Sequence, residues 1–202
     1  MVEPPSSPLP SGSDLVARWA RSRNVSYEAR PEEAWFRRWE PYDTMAPPTL
    51  YFNGVTIGSP PGLIVLVEPW MAFEDSEPLE RVVLGYATHP GLVRRAAMRA
   101  GEHFNTRVSF LESPPPPTVK IGDKLWDEHV VTHAASSGEA AQAFHPRLRQ
   151  LLAGWGFQGQ IELRAGGLCV HYAGLTPIPE NYSRMRRILL EILECAVAYP
   201  RR

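Results

Sequence analysis

Cysteine is scarce in this chain of 202 residues, which holds only Cys169 and Cys195. Two thiols are too few to staple a fold of this size, so a disulfide-built scaffold is not expected and reduced thiols in a cytosolic setting are. Long apolar runs are missing as well. The longest, Leu63–Val67, falls far short of the roughly 18–20 residues that a membrane-spanning helix needs. Neither sign of charge dominates. A formal net charge of −1 and a pI near 6.6 provide no bulk field that would draw the chain to nucleic acid or to an anionic membrane. Lysine is nearly absent too, since all basic residues but Lys120 and Lys124 are arginine. That skew is expected of GC-rich codon usage and carries no functional weight. The opening MVEPPSSPLP has neither a basic stretch nor an apolar one, so a secretory leader is not expected. A soluble cytoplasmic protein of bacterial type, without membrane or nucleic-acid partner, is the expectation.

What is present is enough apolar residue to fold: 44% hydrophobic against 21% charged, the balance of a globular protein. Proline is abundant at 21 residues, about twice the usual share of roughly 5%. The prolines cluster in Met1–Pro10, Pro47–Pro48, Pro60–Pro61 and Pro114–Pro117. The last run must adopt extended polyproline II geometry and reads as a rigid spacer. It divides the chain. Residues 1–12 read as a Pro/Ser-rich tail, 13–112 as an N-terminal α+β half, 113–118 as the linker and 119–202 as a C-terminal half, the two halves being free to pack as one domain.

In the first half, Asp14–Arg23 places Leu15, Val16, Trp19 and Ala20 on one helical face, with Ser13 available as N-cap. RPEEAWFRRWEP has Pro31 at a natural first helical position and Pro41 as a stop, and its sticky face is Trp35, Phe36 and Trp39. Thr49–Ile57 and Gly62–Pro69 predict a hairpin about GSPPG, Arg81–Thr88 and Arg107–Leu111 predict strands, and Leu92–Ala100 predicts a helix.

The second half reads β-α-β-β-α. Glu128–His133 predicts a strand, and Ser137–Leu152 a helix that Pro146 kinks or restarts. QIELRAGGLCVHYA predicts a hairpin about Gly166-Gly167, pairing Leu163 with Val170 and Ile161 with Tyr172. One face is then apolar. The other carries Glu162, Arg164, Cys169 and His171, with Glu162 opposite His171, and a solvated face is the simpler expectation for it. Glu180–Ala198 predicts a long helix with Met185, Ile188, Leu189, Ile192, Leu193 and Ala196 at helical spacing. Leu190 and Val197 widen its apolar arc and suggest an outer surface. This succession of strand, proline-interrupted helix, glycine-turn hairpin and closing helix over residues 125–198 resembles bacterial domains catalogued as of unknown function. The resemblance implies an α+β fold and no particular activity.

Several chemistries lose support on spacing. Gly154-Trp155-Gly156-Phe157-Gln158-Gly159 fits G-x-G-x-x-G, but a dinucleotide site needs strand then helix, and here a helix precedes the glycines and a strand follows them. His129 and His133 on a strand would sit about 13 Å apart, too far to share a metal held by roughly 2 Å bonds. Neither a cofactor nor a metal is expected. Arg94, Arg95, Arg99, Arg184, Arg186 and Arg187 are offset by nearby carboxylates such as Glu191, so they read as helix-surface pairing. Elimination leaves a non-catalytic interaction or scaffold protein that binds a protein partner or itself through Trp35, Phe36, Trp39, Leu190 and Val197. The alternative is a small hydrolase or transferase using Glu162, His171 and Cys169.

Overall fold

The computed structural model describes residues 8–32, 50–59, 62–70, 81–101 and 116–197. Within them nine strands form one antiparallel sheet: β1 (Ser26–Glu28), β2 (Leu50–Ile57), β3 (Ile64–Trp70), β4 (Leu84–Thr88), β5 (Ala96–Ala100), β6 (Thr118–Val119), β7 (Val130–His133), β8 (Gly159–Arg164) and β9 (Gly167–Tyr172). Their order across the sheet is β1-β2-β3-β4-β9-β8-β5-β7-β6. Strands from both sides of the proline run therefore share one hydrogen-bonded ladder. The β8–β9 hairpin lies at its middle.

Five helices stand among the described residues: α1 (Ser13–Ser22), α2 (Lys124–His129), α3 (Ser137–Ala143), α4 (Pro146–Gly154) and α5 (Pro179–Val197). All five contribute to one apolar cluster on one face of the sheet, which defines a two-layer α+β fold. The spacing read for α5 buries Met185, Ile188, Leu189 and Ile192, while Leu193 and Ala196 pack at the margin. Helix and sheet approach closely at Gly85, where an added Cβ would lie 2.7 Å from Leu189 Cδ1 and 2.9 Å from Met185 Cγ. A methyl at this position would have to push both side chains aside. Pro146 does restart a second helix, α4, after α3 ends at Ala143.

A buried carboxylate ties the α1 end of this layer together. Glu68 is wholly buried, and it accepts from Trp70 Nε1 at 2.7 Å, Arg81 Nε at 2.6 Å, Arg81 Nη2 at 3.1 Å and Asn53 Nδ2 at 2.8 Å. Tyr27 donates to Asn53 Oδ1 and Tyr182 to the Asn53 carbonyl, so strand, bulge and α5 close on one network. Asn53 interrupts the β2–β3 register and takes φ +53°, a conformation asparagine tolerates.

Several expectations need correction. Ala96–Ala100 is a strand, not part of a helix over 92–100. Its backbone is paired on both edges, with β8 and β7, and small Ala96 and Ala100 face the helical layer; that pairing outweighs alanine's helical preference. The strand expected over 128–133 begins at Val130, because Asp123 caps a helix through His129 by accepting from the Trp126 amide. Gly12 takes the N-cap place of α1 at φ +81°, and the Ser13 hydroxyl instead donates to the Pro10 carbonyl. The central hairpin turns on Ala165-Gly166, one residue earlier than read. Gly166 takes φ +81° and is pinned by backbone bonds to Leu92 and His89, which shifts the register by two residues and preserves both faces. The short strands β1 and β6 and helix α2 had no periodic signal. The helix expected around Trp35, Phe36 and Trp39 and the strand expected over 107–111 lie outside the described residues.

Candidate functional site

The polar face of the β8–β9 hairpin is interior, not solvated. Gln160 is 0% exposed, Glu162 5% and Cys169 1%, so this part of the face is covered and not open to water. The corrected register places Glu162 opposite Cys169 and Gln160 opposite His171, so the expected Glu162–His171 pair does not form. On this second face Cys169 joins Tyr51, Val65, Val67, Leu84 and Tyr86 in a separate apolar cluster. The polar groups sit beside it.

Burial sets the electrostatics of this row. It lifts the Glu162 carboxyl to about 7, against the opposing pull of its hydrogen bond and charge contact with Arg164 and the charge of Arg95. Burial, reinforced by Glu162, holds the Cys169 thiol well above its ordinary value. His171 is pushed down to about 4 by burial, so it is neutral at physiological pH. A thiol raised and buried in this way has little thiolate. The row can hold and release a proton, and it can donate and accept hydrogen bonds. It does not assemble a nucleophile and a base.

The residues expected to form an outer surface separate. Leu190 projects from α5 at 44% exposure. Val197 does not, since it packs against the core with its Cγ1 over Gly91, where an added Cβ would meet it at 2.7 Å. Trp35, Phe36 and Trp39 lie outside the described residues. A surface that periodicity missed lies at the other end of the helical layer. An open cleft of about 1000 Å³ runs between α2, α4 and the end of β5, lined by Met98, Trp126, Leu152 and Phe157 at its apolar base and by Glu128, His129, Gln150 and Gln158 as polar members. Leu125 on α2 also lines it and is 73% exposed. The one available signal for α2 was Asp123 three residues before Trp126, an N-cap spacing without an apolar repeat behind it.

The remaining motifs resolve structurally. His129 ends α2 and His133 ends β7, where its Nδ1 meets the Pro116 carbonyl at 3.0 Å. Among the described residues no three His, Cys, Asp or Glu side chains gather as metal ligands would. The glycine-rich string runs from the end of α4 into β8, the reverse of a dinucleotide-binding turn. No described helix is long and apolar enough to cross a membrane.

These features define the chain as a two-layer α+β protein with a central antiparallel sheet. No family model matches it, and no curated protein matches it by sequence. Among solved structures it is similar to the crystal structure of the mycobacterial trehalose monomycolate transport factor A, TtfA. The TM-score is 0.59 at 13% sequence identity, over 94% of this chain and 98% of that one. The likeness is one of fold.

Proposed function

We propose that the chain is a non-catalytic interaction protein of the bacterial cytoplasm, which holds a protein partner through an apolar helical surface. The observation that carries this reading is Leu125, 73% exposed on α2 beside a cleft with an apolar base. A large aliphatic side chain kept in water next to a concave apolar surface gains about 1.5–3 kcal/mol when a partner covers it. Leu190 on α5 offers a second anchor. The polar members of the cleft supply the rim that protein interfaces carry around such anchors. The matching occupant is an amphipathic protein segment that lays its apolar side chains into the cleft.

Two further facts support a non-catalytic role. Of the hairpin residues of the hydrolase or transferase alternative, Glu162 and Cys169 are buried, the thiol is raised and the His171 imidazole is neutral. A fold of the same shape belongs to a protein described as a transport factor. The test is light-scattering mass of the purified chain, paired with quantitative affinity capture from its own host, for the native protein and for Leu125→Asp and Leu190→Asp. The expected result is a stoichiometric partner that Leu125→Asp releases at unchanged thermal midpoint. A self-association lost in the same variant would place a second copy in the cleft instead. A lone monomer with no enriched partner, or assembly indifferent to both substitutions, would overturn the reading.

A further inference from the structure

The second face of the sheet, away from the cleft, holds two neighbouring polar side chains whose hydrogen-bonding capacity the described residues do not meet. Gln160 is fully buried, and neither Nε2 nor Oε1 of its amide has a hydrogen-bond partner among the described residues. Glu162 is two residues along the same strand and on the same face. Its Oε1 accepts from Arg164 Nε, while its Oε2 has no partner among the described residues. Alternate residues of a strand lie roughly 6.5–7 Å apart, so both side chains can reach one small molecule. Folded proteins rarely bury an amide with nothing to bond, because the group gives up its water and receives nothing in return. Two adjacent cases on one face point to an occupant.

The chemistry of the pair selects its class. An anion would be set against the open carboxyl oxygen of Glu162. A cation would be set against Arg164 and Arg95, both of which act on that carboxyl. An uncharged group escapes both penalties. Gln160 presents a donor beside an acceptor on one planar group, the arrangement with which glutamine pairs with a planar edge that carries an acceptor beside an N–H. Glu162 Oε2 accepts one further N–H when ionised.

We infer that the Gln160–Glu162 face is a binding site for a small uncharged molecule with a primary carboxamide. Its carbonyl accepts from Gln160 Nε2, one N–H donates to Gln160 Oε1 and the other donates to Glu162 Oε2. His171, Arg99 and Arg164 border the pair and are only partly buried, which places the approach on their side.

The test is a titration of the full-length chain, followed by the side-chain NH₂ resonances of Gln160, which Gln160→Met identifies by their loss. Acetamide is the probe. N,N-dimethylacetamide, which keeps the carbonyl and lacks both N–H groups, and acetate, which adds charge, are the comparisons. The expected result is a saturable shift with acetamide and at least about tenfold weaker response to the other two, in line with the loss of paired donors in a buried site. Glu162→Ala should weaken acetamide severalfold while leaving the Gln160 shift visible. A shift that is absent, that grows linearly without saturation, or that is equal for all three probes would overturn the site and leave solvent, or an adventitious additive only, as the partner of the amide. Should either variant fail to fold, the three-probe comparison on the native chain still decides.

Discussion

Glu162 stands directly opposite Cys169 at the centre of the nine-stranded sheet, a carboxyl facing a thiol with both groups shut away from water. The fold tolerates this pair because Arg164 engages one carboxyl oxygen and because burial favours the protonated form of both groups. The arrangement has measurable consequences.

Stability should carry the signature of Glu162. Its carboxyl rises from 4.5 to about 7 on folding, so the folded state favours the protonated form. Its contribution is fully present below pH 4.5 and is lost as pH climbs through 7, a change of about 3 kcal/mol at 1.36 kcal/mol per unit. His171 works in the opposite sense: lowered from 6.5 to about 4, it supplies stability present above pH 6.5 and lost as pH falls toward 4. Urea unfolding between pH 4.5 and 8.5 should therefore show the Glu162→Gln variant gaining on the native chain as pH rises. The slope is the readout, since the amide keeps an acceptor for Arg164 but never carries the carboxylate charge. A difference independent of pH would contradict the assignment.

Removing the buried carboxylate of β3 should be severe. Glu68 accepts four hydrogen bonds from Trp70, Arg81 and Asn53 without solvent exposure, and Glu68→Ala leaves the Arg81 guanidinium without its principal carboxylate. A loss of about 3–5 kcal/mol in urea unfolding is expected. Asn53→Ala, which removes the neutral link between Glu68 and Tyr27, should cost less.

Gly85→Ala tests the closeness of helix and sheet. The added methyl falls 2.7 Å from Leu189 Cδ1, and overpacking of this kind costs roughly 1–3 kcal/mol. Combining it with Leu189→Ala should cost less than the two single changes added together, since each relieves the other's defect. Additive thermal-unfolding losses would show that the contact is not what demands glycine.

Thiol labelling should be slow in the native chain. Cys169 and Cys195 are both free, buried and raised in pKa, so a disulfide reagent at pH 7.5 should modify them only at the rate of opening and fully once urea unfolds the protein. Fast native modification of Cys169 would revive the catalytic alternative.

Legibility in the sequence followed the range of the interactions involved. Helix α5 was readable from Met185 to Ile192 because its burial repeats every turn, and Pro146 announced α4 because proline lacks the amide that a continuing helix needs. The two faces of the β8–β9 hairpin followed from alternation, which survives a register shift of two. That the second face is buried did not follow, because alternation is the same whether that face is covered or solvated. Ala96–Ala100 was misread for a related reason: its alanines favour helix locally, and only the ladders to Leu163 and Val131 on either side make it a strand. The cleft beside Leu125 had no periodic trace, being made where three separate segments meet.

The placement of β5 reaches into how the molecule is made. This strand leaves the ribosome before the proline run, yet it bonds on both edges to strands that emerge after it. A nascent chain stopped at the prolines would carry Ala96–Ala100 with neither ladder, and a fragment beginning after them would leave the edges of β7 and β8 open to foreign strands. Native pairing of β5 thus waits until Val130–His133 and Gly159–Arg164 have emerged and the long intervening loops have closed, an interval in which both its edges stay open.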